Sequence, residues 1–147
     1  MKINSVQTRI TFEKVVRNFS SRGLRVDEIR RYLDAGGDIN HREKKMGWSL
    51  LHYAAEDRNP DAIKLLAARG ADLNIVDRYG WTPLHFAVDR DIDTDGNPTR
   101  DLPTAQALID VGAREDTRAE DGATPRDIAM TFGQEALYDS LSRPKTT

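Results

Sequence analysis

Apolar positions recur along this chain at helical spacing, in short runs that polar or turn-forming residues interrupt. Leu50, Leu51, Ala54 and Ala55 make one stripe, and Ala62, Ile63, Leu65, Leu66 and Ala67 make the next. Between them Asn59 can cap a helix and Pro60 can begin one, because the proline's missing N–H has no intrahelical partner at that position. Gly70 suits the left-handed residue that closes the helix, and Ala71-Asp72-Leu73-Asn74 then starts an extended turn. Thr82 and Pro83 repeat the cap-and-proline start, with Leu84, Ala87 and Val88 on one face. Toward the beginning, Ile10, Phe12, Val15, Val16 and Phe19 can line one helix, and Ile29, Tyr32 and Leu33 its neighbour. Toward the end, Ile128, Ala129, Ala136, Leu137 and Leu141 would close the core. The pattern predicts four helix pairs, with small residues (Ala54, Ala55, Ala87) where helices approach most closely.

The pairs are copies of one another. Gly47-Trp48-Ser49-Leu50-Leu51-His52-Tyr53-Ala54-Ala55 aligns with Gly80-Trp81-Thr82-Pro83-Leu84-His85-Phe86-Ala87-Val88 at an offset of 33 (81 minus 48). Gly122-Ala123-Thr124-Pro125-Arg126-Asp127-Ile128-Ala129-Met130 is a weaker third copy, offset by 42 (122 minus 80). A second landmark, Gly36-Gly37-Asp38-Ile39-Asn40, returns as Gly70-Ala71-Asp72-Leu73-Asn74 at an offset of 34 (70 minus 36), and as Gly112-Ala113 a further 42 on. Both landmarks share the longer spacing, which places an insertion of about nine residues (42 minus 33) inside one repeat.

Thr82-Pro83-Leu84-His85-Phe86-Ala87 matches T-P-L-H-x-A at every position, and over roughly residues 10 to 141 the chain resembles the ankyrin-repeat family. The resemblance is strong in the two middle repeats and degenerate at both ends. It implies an all-α solenoid of about four stacked helix-turn-helix repeats with short β-hairpin-like fingers. The expected organisation is a single domain: an N-terminal cap repeat over 8–42, repeats over 43–76 and 77–118, a C-terminal cap repeat over 119–141 and a disordered tail over 142–147. Differing end repeats are what a solenoid needs to stop its stack against water.

Composition narrows the function further. Lys and Arg number 22 against 24 Asp and Glu, a net charge of −2, which gives no general pull toward nucleic acid or anionic lipid. There is no cysteine, so disulfides, thiolate metal sites and thiol nucleophiles are excluded. No apolar run has the length of a signal peptide or membrane span, and unless a leader precedes Met1 the expected location is the cytoplasm. No nucleophile elbow, phosphate-cradling glycine loop or His-Glu-x-x-His is present. The expectation is therefore a non-enzyme without cofactor that binds another protein, as a monomer.

His52 and His85 occupy one repeat position, with His41 in a linker. No carboxylate or thiol recurs with them at ligand spacing. The resemblance implies that they hold repeat junctions together through hydrogen bonds.

The insertion between Asp89 and Leu102 is the idiosyncratic segment. Asp91, Asp93, Asp95 and Gly96 reproduce the first half of an EF-hand calcium loop, but the twelfth position is Leu102 rather than glutamate, and Asp101 comes one place early. The three aspartates are weak metal candidates; the alternatives are a plain polar loop that ends in a capped helix with Pro103 in its first turn, or a recognition loop.

Trp48 and Trp81 follow the repeat glycines, beside the projecting fingers. In the family this position varies and faces the concave groove. Tryptophan there suits partner contact, the alternative being that each ring stiffens a neighbouring finger. Met46 and Tyr79 flank the same ridge, and Glu56, Asp57, Arg78, Asp89 and Arg90 match other variable groove positions. With Asp91, Asp93 and Asp95 these are the candidate protein-binding residues. A compact chain of this kind with an acidic insertion suggests a bacterial immunity or antitoxin protein that blocks a toxin with a basic surface. A regulatory adaptor, a host-directed effector and a calcium-responsive binder are the alternatives.

Overall fold

The computed structural model describes residues 10–92, 101–141 and 143. Among them run nine helices: α1 (Phe12–Val16), α2 (Phe19–Arg22), α3 (Val26–Asp34), α4 (Leu50–Glu56), α5 (Pro60–Ala68), α6 (Pro83–Asp91), α7 (Pro103–Asp110), α8 (Pro125–Thr131) and α9 (Glu135–Asp139). They form four pairs, the first member of the first pair being broken into α1 and α2. Helices α4, α6 and α8 pack side by side as an inner row, and α3, α5 and α7 as an outer row behind it. Between the rows Leu50, Ala54, Ala55, Ile63, Leu66, Leu84, Ala87, Val88 and Leu108 are completely buried. Each large side chain among them contributes about 2 kcal/mol relative to exposure, while the alanines set the close spacing of the inner row.

Each inner helix starts in the same way. Ser49, Thr82 and Thr124 accept a hydrogen bond from the backbone N–H three residues on, and the side chain of that residue (His52, His85 or Asp127) accepts from the cap residue's own N–H. This reciprocal box satisfies two donors that a helix start leaves free. Asn59 caps α5 more simply, accepting from Ala62 N–H at 3.1 Å.

Helix α7 is the exception. Its cap position is Leu102, which is fully buried, adopts φ +43° and offers no side-chain acceptor. The acceptor comes from Asp91, the last residue of α6, whose Oδ2 receives the Thr104 and Ala105 N–H groups at 2.9 Å each. The helix expected to begin near Pro103 is thus capped across the insertion.

Between the pairs project three fingers. Each is a turn closed by its own backbone: Glu43 N–H to Trp48 O, Asp77 N–H to Trp81 O and Ala119 N–H to Ala123 O, all at 2.9 Å. Among the described residues they contain no strand. One backbone bond joins each finger to the next, Arg78 N–H to Met46 O and Glu120 N–H to Tyr79 O. Glycine is required where they touch: a β-carbon on Gly80, at φ +77°, would lie 2.9 Å from Glu120 N.

Two ends differ from the sequence-based expectation. The single helix expected from Ile10 to Phe19 is split at Arg17-Asn18 into α1 and α2, and Phe19 packs edge-on against Tyr53 at 5.0 Å. At the other end Leu141 closes the core as expected, but Ala136 is exposed and the buried Tyr138 joins the core in its stead. Tyr138 donates to Glu115 at 2.7 Å, and Arg143, expected within a frayed tail, pairs with the same carboxylate at 2.8 Å.

Candidate protein-binding cleft

The fingers and the first turns of the inner helices enclose an open cleft of about 590 Å³ lined by Met46, Trp48, Asp77, Tyr79, Trp81, Phe86, Glu120 and Asp121. Its centre is Phe86 of α6. Trp48 stands edge-on to that ring at 5.0 Å and Trp81 does so at 5.3 Å. Both indoles are partly buried and packed on the core, so they brace the fingers and still line the cleft. Tyr79, at a finger tip, is 51% exposed, which is unusual for a large aromatic side chain in water. Trp48 Nε1 is buried without a hydrogen-bond partner among the described residues.

Asp77 is structural despite lining the cleft. It is buried, and its Oδ1 accepts from Tyr79 and Trp81 N–H at 2.9 Å each, which fixes the middle finger's turn. Glu43 fixes the first finger similarly, accepting from Lys45 N–H at 2.7 Å.

The histidines hold the fingers from below. His52 Nε2 lies 2.8 Å from Trp81 O and His85 Nε2 lies 2.8 Å from Ala123 O. A carbonyl can only accept, so the proton sits on Nε2, leaving Nδ1 to accept from the Ser49 and Thr82 N–H groups at 3.1 Å. Desolvation holds both imidazoles below the ordinary histidine value, against the opposing pull of the carbonyls they face. Two asparagines make a second set of links: Asn40 Oδ1 accepts from Asp72 N–H and Asn74 Oδ1 from Arg114 N–H, each at 2.8 Å.

Of the expected binding residues, Met46, Trp48, Tyr79 and Trp81 meet in this cleft. Arg78 lies on the same ridge, its guanidinium donating to Lys45 O at 3.2 Å. Glu56 and Arg90 pair with each other at 2.8 Å at the far ends of α4 and α6, with Asp89 beside them at 3.9 Å. Asp57 departs from the expected groove position: its carboxylate accepts from Leu24 N–H at 2.9 Å and ties the first repeat to the second. Asp91 departs further. It is completely buried, bound to the start of α7 and beside Arg58 at 3.7 Å, so neither metal nor partner meets it on the surface. Asp93 and Asp95 lie outside the described residues.

Phe86, Glu120 and Asp121 were missed by the sequence reading. Phe86 is the x of T-P-L-H-x-A, and its equivalent Tyr53 is also aromatic. Glu120 and Asp121 stand where Arg78 and Tyr79 stand one repeat earlier, at the offset of 42 (120 minus 78).

Stacked helix pairs with linked fingers define a helical-repeat solenoid with an open aromatic cleft. A family model described as ankyrin repeats (3 copies) matches residues 20–97, and the chain belongs to the ankyrin-repeat family, a family of protein-interaction modules. Human protein phosphatase 1 regulatory subunit 27 is 39% identical over 82 residues, which cover 56% of this chain and 47% of that protein. Human neurogenic locus notch homolog protein 1 is 32% identical over 118 residues, 77% of this chain and 4% of the relative. Bovine mitochondrial disaggregase is 30% identical over 146 residues, 75% of this chain and 20% of the relative. The chain therefore spans less than half the length of these relatives. Among the described residues no helix is long and apolar enough to cross a membrane.

Proposed function

We propose that the chain is a non-catalytic recognition module that holds a partner protein in the cleft between its fingers. Met46, Trp48, Tyr79, Trp81 and Phe86 are its anchors. The carrying observation is the aromatic cleft itself: rings fixed edge-to-face on a rigid stack, with one aromatic finger tip left exposed. Aromatic groups held in advance lose little freedom on binding, which is how a modest surface reaches useful affinity. A role as the regulatory part of a larger assembly agrees with the regulatory-subunit relative. The immunity reading leaned on the acidic insertion, of which Asp91 is buried while Asp93 and Asp95 lie outside the described residues, so the cleft and not the insertion supports the present reading.

A photo-crosslinking residue in place of Tyr79 should capture a discrete partner in an extract of the native cell. The same residue in place of Lys64, exposed on outer helix α5, should not. Equal adducts from both positions, or adducts only from position 64, would move the binding face away from the fingers.

A further inference from the structure

The finger ridge reverses sign along its length. Lys45 and Arg78 occupy equivalent tips of the first two fingers, and Glu120 holds the same place on the third with Asp121 beside it. Neither of these two carboxylates meets a cation among the described residues. Asp121 accepts from Ala123 N–H at 3.0 Å, and Arg118 on the same finger is turned to Gly122 O at 2.9 Å. The aromatic cleft thus opens beside two uncompensated negative charges.

We propose that this cleft takes an arginine side chain of the partner, its guanidinium against the aromatic rings and hydrogen-bonded to Glu120 and Asp121. The inference rests on the recognition role argued above and names its occupant. An aromatic face attracts a cation, and more strongly once water is displaced. A leucine would cover the same rings but strip water from the two carboxylates without pairing them. An acidic side chain would be repelled. Arginine fits better than lysine, because its planar guanidinium stacks on a ring while donating a fork of hydrogen bonds to a carboxylate. The reversal of charge also gives the partner a direction, with acidic residues toward Lys45 and the arginine toward the third finger.

The two tryptophans give two indole N–H resonances, assignable with Trp48→Phe, and both side chains line the cleft. The labelled protein is titrated with short peptide pools whose flanks are randomised and whose central residue is Arg, Lys, Leu or Asp. The arginine pool should move the indole signals at the lowest concentration. Glu120→Gln with Asp121→Asn should weaken it roughly tenfold while the leucine pool binds no more weakly than before, since it no longer strips water from two charges. The amide oxygen that Asp121→Asn introduces can still accept from Ala123 N–H, so the finger keeps its shape. Glu120→Lys should turn the preference toward the aspartate pool. A leucine or lysine pool that matches the arginine pool, or arginine binding indifferent to the double substitution, would overturn the occupant and keep the cleft. Indole signals unmoved by every pool would overturn both.

Discussion

Removing the His85 imidazole tests how the finger ridge is held. The ring is fully buried and joins two repeats, donating to Ala123 O and accepting from Thr82 N–H. His85→Ala strands both groups in the interior and leaves a void beneath Trp81. Two lost hydrogen bonds, with the penalty for unpaired buried groups, come to about 3 kcal/mol. For a chain of this size that lowers Tm by about 10 °C. The same substitution should change the response to acid. The unfolded chain takes up the histidine protons near pH 6.5, the folded chain only below that. The contribution is therefore complete above pH 6.5 and is lost as the pH falls through the depressed folded value. Urea unfolding of wild type and His85→Ala at pH 7.5 and 5.0 measures the difference, in which every other titrating group cancels. The gap between the two proteins should narrow at pH 5.0. A variant that melts within about 3 °C of wild type, or a gap that widens in acid, would refute the assigned tautomer and its bonds.

Three further outcomes follow from the same geometry. Asp91→Ala should cost about 3 kcal/mol in urea unfolding by stranding the Thr104 and Ala105 amides, whereas Asp91→Asn, which keeps an acceptor, should cost far less. Because desolvation raises the Asp91 carboxyl, its contribution is fullest below its unfolded pKa and lost as pH rises through the folded value, so the disadvantage of Asp91→Asn should shrink between pH 4 and 7. Gly80→Ala should cost about 3 kcal/mol against about 1 for Gly70→Ala: both have positive φ, but only at Gly80 would the new methyl meet backbone of the next finger. Tyr79→Ala should change stability by less than about 0.5 kcal/mol, since the ring is exposed, yet weaken partner binding roughly tenfold by titration calorimetry.

What the sequence disclosed was whatever repeats. The caps of the inner helices, the alanines of the inner row and the two equivalent histidines recur with the repeat, and they occupy the places its spacing implies once the insertion is allowed for. The cleft was half legible on the same ground, through Trp48 and Trp81. Phe86 was hidden because a position that varies within a motif does not mark itself. Glu120 and Asp121 were hidden because the third finger follows the insertion and resembles the others only after it is removed. Asp91 was misread for a different reason. Its neighbours Asp93 and Asp95 suggested a local ligand loop, while its bonds reach Thr104 and Ala105, a contact that only the folded return of the chain creates. Asp57 is a similar case, bound to Leu24 in the preceding repeat.

The stack has a direction. The links between repeats run forward: His52 and His85 reach the carbonyl of the next finger, and Asn40 and Asn74 accept from an amide of the next turn. Among the described residues both series end at the third finger and at the turn that holds Arg114. In the C-terminal repeat the histidine position holds Asp127, which keeps the local half of the box by accepting from Thr124 N–H, and in the turn that holds Arg114 the asparagine position holds Asp116. The fingers that frame the cleft are therefore positioned by residues a partner never touches. Loosening His52 or His85 should weaken binding through lost order rather than lost contact, and the substitutions that spare affinity should be those on the outer helices, which send no side chain into the ridge.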